Sequence, residues 1–268
     1  MKVVMISGSH PRHLYVIRKV AETGCLAGVV LMKRENMILD IPEGMDPLLT
    51  DLYKHHFELR LQMEEKYFNT FDCDALIESL DHLIIEPEEL NGPKVEDYLR
   101  RLDCDWMISY GPNLIRPNIL EIVHDKAINL HGGLSPYYKG AATMFWPFYF
   151  LEPNYVGTTL HYITQKIDGG RIVHQTVPEL KHGDCMHEVA CKAIIAAADE
   201  LKELLIRMNN GEQFEGEEQR KNGKLFLEKD WRPEHLRLVY ETYGDKIVDL
   251  FLDGKINRNN APKLVRAF

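Results

Sequence analysis

The chain has 268 residues, 45% hydrophobic and 27% charged, the make-up of an ordinary soluble globular protein of one or two domains. A formal net charge of −9 disfavours a nucleic-acid partner, because phosphate backbones are bound by surplus Lys and Arg. No apolar run approaches the ~20 residues that span a bilayer, and Met1–Ile6 is too short for a signal peptide. With no C-x-x-C among the five cysteines, reduced thiols and a cytoplasmic location are expected.

Val3–Ile6 is an apolar run ending in small residues, as a buried parallel strand does. Between Arg12 and Thr23 the apolar positions 14, 16, 17, 20 and 21 have helical spacing, and Gly24 is a natural stop. Strands are predicted at Ala27–Met32, His82–Ile85, Trp106–Ser109 and Ala127–Leu130, with helices at Val95–Leu102 and Asn118–Val123. That alternation implies crossover connections and a mostly parallel sheet. Residues 48–68 interrupt it with one long amphipathic helix, on which the neighbours His55 and His56 are expected at the surface. Later, Val156–Ile163 alternates and 170–175 follows across a turn, predicting an antiparallel hairpin. A helix over Met186–Met208 has Asp184 as its expected N-cap. Glycines and prolines break the remainder, so the expected division is a core of residues 1–208 and a small appended unit of residues 209–268.

The most informative segment runs from Ala127 to Ala142, where a strand opens into a Gly/Pro-rich loop. The C-terminal edge of a parallel strand faces the crevice where α/β proteins bind ligands. Asn129 and His131, two apart, point to one side and pair an amide donor with a titratable imidazole. Acyl transfer needs that pair: a donor for the developing oxyanion and a ring that moves a proton. By spacing alone the pair reads more simply as a polar strand end capping neighbouring backbone.

Asn129-Leu130-His131 followed by Leu134-Ser135-Pro136-Tyr137-Tyr138-Lys139-Gly140 resembles the signature of the folate-dependent formyltransferases. Two further elements match in order: Gly157-Thr158-Thr159-Leu160-His161 leading to Ile167-Asp168-Gly169-Gly170, and Ser109-Tyr110-Gly111 with Leu114-Ile115-Arg116-Pro117. Ser135 stands where a Leu is usual, and Pro112-Asn113 is inserted in the last element. The resemblance implies a Rossmann-like α/β formyltransferase core and N10-formyltetrahydrofolate as co-substrate. It implies a catalytic set of Asn129, His131 and Asp168, with Asp168 orienting the imidazole and stabilising its charged form. Around the folate it implies Tyr110, Gly111, Asn113, Leu114 and Ile115 on one loop, and Gln165, Ile167, Gly169 and Gly170 on the other. Taken alone, Gly169-Gly170 would be a plain hairpin turn.

Other signals are weaker. Cys185, His187 and Cys191 do not share one helical face and lack a fourth ligand, so no metal is expected. Ser9 and His10, in the loop after the first strand, and Tyr137 and Lys139, beside the Asn/His loop, are candidate substrate contacts. For Lys139 a structural ion pair is an equal reading.

The family divides by its amine acceptor. Its methionyl-tRNA members carry a long, positively charged C-terminal domain, whereas here Gly211–Phe268 gives 58 residues with eleven acidic and eleven basic side chains. The expected partner is therefore a small-molecule amine, a nucleotide-linked amino-deoxysugar, with no nucleic acid and no membrane; a homodimer is allowed. Methionyl-tRNA, glycinamide ribonucleotide or a non-catalytic folate-binding role remain the alternatives.

Overall fold

A computed structural model describes residues 1–34, 37, 40–219, 223–256 and 261–268. Strand β1 (Val3–Gly8) is fully buried and leads into helix α1 (Pro11–Ala21), which starts on a proline and buries His13, Tyr15, Val16, Ile17 and Val20. Gly24, at φ +71°, turns the chain into β2 (Leu26–Met32). Then come α2 (Pro47–Phe68), α3 (Cys73–Glu78), β3 (His82–Ile85), α4 (Pro93–Leu102), β4 (Trp106–Tyr110), α5 (Pro117–Leu120) and β5 (Ala127–His131). The chain continues through β6 (Tyr138–Gly140), α6 (Trp146–Tyr149), β7 (Thr158–Tyr162), β8 (Ile172–Thr176) and α7 (Met186–Asn209). It ends with β9 (Lys224–Phe226) and α8 (Ile247–Leu252).

Seven strands form one sheet in the order β3-β2-β1-β4-β5-β7-β8. The first five are parallel; β7 and β8 join antiparallel to β5 and to each other. This is the mostly parallel α/β core that the alternating pattern predicts. One face is covered by α1 and α7 over Val16, Ile17, Ile128, Leu130 and Leu201, the other by α4 and α5 over Val4, Ile6, Leu99 and Ile119.

The segment after α7 packs against residues of the first part of the chain. Its β9 pairs in parallel with β6, and Phe226, Leu236, Val239, Ile247 and Val248 share a cluster with Trp146, Phe148 and Val189. Near the terminus Val265 exchanges hydrogen bonds with Gln175 on edge strand β8, covering its open backbone.

Two expectations are corrected. His55 is exposed, but His56 is buried, with Nδ1 2.8 Å from the Tyr240 hydroxyl and 3.3 Å from His187 Nε2. Successive helical residues point about 100° apart, so one of the two faces inward. The N-cap of α7 is Cys185, whose Sγ accepts from the Glu188 N–H at 3.4 Å. Asp184 instead accepts from the Lys181 N–H and pairs with Lys192.

Candidate active site

Three adjacent strands place Ser109, Asn129 and His161 in one cross-strand row. The next row on the same face is His131, Thr159 and Gln175. In the first, the Ser109 hydroxyl donates to Asn129 Oδ1 at 2.6 Å, which turns the amide nitrogen toward His161 Nε2 at 3.2 Å. His161 Nδ1 donates to the Tyr162 carbonyl at 2.9 Å, so its Nε2 accepts from Asn129 when the ring is neutral. One N–H of Asn129 then remains for a ligand.

The second row supports the loop that follows β5. Thr159 Oγ1 donates to the Gly133 carbonyl at 2.8 Å and accepts from the Ser135 N–H at 2.9 Å, while Gln175 donates to the Ser135 carbonyl at 2.5 Å. Gly133 lies under the His131 ring, where a Cβ would come within 2.5 Å of Nε2.

His131 is buried, 7% exposed, and Asp168 faces it. Its Nε2 donates to the Tyr138 carbonyl at 3.1 Å, leaving Nδ1 as the proton-accepting atom, 3.5 Å from Asp168 Oδ2. The ring's orientation is therefore set by Tyr138, and Asp168 stands where a proton on Nδ1 would meet it. Burial pulls the imidazole below its ordinary pKa; the Asp168 charge and the Tyr138 carbonyl oppose this, and His161 and Lys139 reinforce it. The ring is mostly neutral near pH 7.

Asp168 Oδ2 also accepts from the Gly140 N–H at 2.8 Å, and Oδ1 lies 3.4 Å from His161 Nε2. Burial would raise this carboxyl's pKa, but its contact with His161, the His131 charge and the Gly140 N–H outweigh it and hold it at about 2. The pairing thus places a permanent anion beside a ring that can gain a proton.

The remaining sequence candidates do not converge on one cavity. Tyr110 and Gly111 line a cavity of about 510 Å³ beside the site, together with Glu64, Gly132, Phe145 and Trp231. Gly111, at φ +72°, leaves room for the His13 ring. Gln165, Gly169 and Gly170 line a second cavity of about 1170 Å³ against the segment that follows α7. Leu114 and Ile167 are exposed at 62% and 52%, Asn113 is exposed, and Ile115 belongs to the core. Ser9 Oγ accepts from the Arg34 N–H, and His10 is buried with its N–H on His13 Nδ1. The Tyr137 ring packs edge-on against Tyr155, and Lys139 sits on β6 close enough to lower the His131 pKa. Among the described residues no group of three His, Cys, Asp or Glu side chains is arranged to hold a metal ion. None of the described helices is long and apolar enough to cross a membrane.

Sequence reasoning missed Ser109 and His161 as members of the site, although both lie in the quoted motifs. It also missed the backbone groups of Tyr138 and Gly140. Period-two spacing on neighbouring strands signals the first two; the others need the fold.

A family model described as formyl transferase matches residues 58–203. Among solved structures, the chain is similar to phosphoribosylglycinamide formyltransferase from Anaplasma phagocytophilum at 17% identity and TM-score 0.56, covering 85% of this chain and 98% of that one. It is also similar to the formyltransferase PseJ from Anoxybacillus kamchatkensis, in complex with UDP-4,6-dideoxy-4-formamido-L-AltNAc and tetrahydrofolate, at 19% identity and TM-score 0.50, covering 92% and 97%. A third is an N-formyltransferase from Helicobacter canadensis in complex with folinic acid and dTDP-3-aminofucose, at 16% identity and TM-score 0.52, covering 91% and 82%. At these identities the likeness is one of fold.

Proposed function

Because the chain belongs to the formyl transferase family, whose model spans more than half of it, we propose that it moves a formyl group from N10-formyltetrahydrofolate to the primary amine of a nucleotide-linked amino-deoxysugar. The observation that carries this reading is the convergence of Asn129, His131 and Asp168 at the end of β5 and the turn before β8. Two of the relatives above hold a folate together with a nucleotide sugar, which supports the choice of both ligands.

Leu114 and Ile167, on the two loops implied to flank the folate, expose large apolar side chains available to a flat ligand. When bound, the folate supplies the formyl group. Asn129 offers its remaining N–H to the carbonyl oxygen as that oxygen gains charge, and Ser109 keeps the amide in that orientation. His131 takes the proton lost by the attacking amine at Nδ1, and Asp168 stabilises the imidazolium that results. His131 would then return that proton to the donor's departing nitrogen as the oxyanion collapses and the formyl carbon–nitrogen bond to the donor breaks.

The 510 Å³ cavity is the natural place for the acceptor. In its wall Glu64 is buried; its Oε1 accepts from Arg12 at 2.6 Å and from Arg60 at 3.1 Å, while Oε2 is buried without a hydrogen-bond partner. Glu64 and the two arginines paired with it thus give the acceptor's cavity a charged, hydrogen-bonded wall. Incubating the protein with N10-formyltetrahydrofolate and dTDP-, UDP- and GDP-linked amino sugars, glycinamide ribonucleotide and methionyl-tRNA tests the assignment. The expected product is a formylated nucleotide sugar. Saturable formylation of methionyl-tRNA, weakening steeply with salt, would sink it.

A further inference from the structure

Asp168 sits at φ +44°, a left-handed conformation that non-glycine residues adopt only when neighbours hold them there. Its carboxylate is fixed by the Gly140 N–H, and its backbone is fixed from elsewhere in the chain. Gln219 Nε2 donates to the carbonyls of Asp168 at 2.5 Å and of Gly170 at 2.8 Å. Both donors of that amide are thus spent on the turn that carries the carboxylate. Its Oε1 is buried without a partner, so the side chain is placed by its donors.

The described residues on either side of Gln219 are tightly seated. Glu217 and Ile172 exchange backbone hydrogen bonds, each 2.7 Å, and a Cβ on Gly216 would come within 2.9 Å of the Ile172 carbonyl oxygen. Gly223 passes so close to the Pro136 carbonyl oxygen that a Cβ would lie 1.7 Å from it. Beyond it, Phe226 accepts from the Ala141 N–H at 2.8 Å, fixing β6, which presents the Tyr138 carbonyl to His131 and the Gly140 N–H to Asp168. One C-terminal segment therefore braces both sides of the His131–Asp168 contact.

We propose that Gln219 is a positioning residue for formyl transfer: its two hydrogen bonds hold the Asp168 turn so that the carboxylate faces His131 Nδ1. This rests on the formyl-transfer reading above and adds to it that the segment after α7 completes the reacting centre. The groups that face His131 are Asp168, His161, Lys139 and the Tyr138 carbonyl. Of these Asp168 is the one Gln219 touches, and its retreat lowers the ring's pKa.

The test uses the full chain carrying Gln219→Met, which keeps the length and removes both donors along with the orphaned oxygen, and Gln219→Asn, which keeps an amide that falls short. Histidine ring titration by ¹⁵N NMR without substrates is expected to move the His131 midpoint to lower pH by roughly half a unit or more in both variants. Single-turnover formyl transfer is expected to fall about tenfold to a hundredfold, with acceptor KM unchanged and melting temperature near wild type. A His131 midpoint unmoved in whichever of the two variants folds overturns the proposal. Should wild type formylate none of the acceptors, a displaced midpoint still supports Gln219 as the holder of Asp168, and the formyl-transfer reading fails on its own.

Discussion

Replacing Asp168 by Asn removes a charge while keeping the shape of the side chain. The amide can turn its oxygen to the Gly140 N–H, so the local fold should survive. What is lost is the attraction between the carboxylate and a protonated His131, whose Nδ1 lies 3.5 Å from Oδ2. At an effective dielectric near 20, two unit charges at that separation attract by about 5 kcal/mol. Each 1.4 kcal/mol is about a factor of ten, so the charged ring becomes roughly three thousandfold scarcer at a given pH. If the imidazolium is on the reaction path, kcat should fall by about the same factor. The assay is single-turnover formyl transfer at saturating donor and acceptor across pH 5–9, with thermal melting as the control for folding. A folded variant within tenfold of wild type, with an unmoved pH profile, would refute the electrostatic role given to Asp168.

Three further outcomes are expected. Asp168 is only 13% exposed, and its pKa is depressed from the ordinary range near 4 to about 2. Its ionisation therefore contributes about 2 kcal/mol of stability above pH 4 that disappears as pH falls to 2, and the urea midpoints of wild type and Asp168→Asn should converge over that interval. Gly140→Ala places a Cβ 2.1 Å from the Phe226 carbonyl oxygen at a residue with φ +87°, so it should melt well below wild type and lose formyl transfer in a paired measurement. Glu64→Gln, which weakens the pairing with Arg12 and Arg60 in the cavity wall, should raise the acceptor KM about tenfold and leave the folate KM alone; equal KM values for wild type and variant would move the acceptor elsewhere.

The strands were readable because each buried parallel strand is a short apolar run, and the Asn129–His131 pair because alternate residues of a strand share a face. The hairpin of β7 and β8 was readable from alternation. What sequence spacing could not supply was register. Ser109 and His161 join Asn129 only because β4 and β7 flank β5 with those residues level. His56 was misplaced because the phase of a helix says which residues share a side, while the covering surface comes from α7 and Tyr240, far along the chain. Gln219 carries no local signal at all: its partners lie 51 and 49 positions away, and its environment exists only once the C-terminal segment has folded back.

The most direct test of the central claim is a parallel single-turnover measurement of formyl transfer on wild type and on Asn129→Ala, His131→Ala and Asp168→Ala, each checked for native melting. Loss of one oxyanion donor costs about 10²–10³ in rate. Asn129→Ala is expected in that range, and the other two should fall by at least as much. Near-wild-type transfer by any folded member of the set would contradict the site described for Asn129, His131 and Asp168.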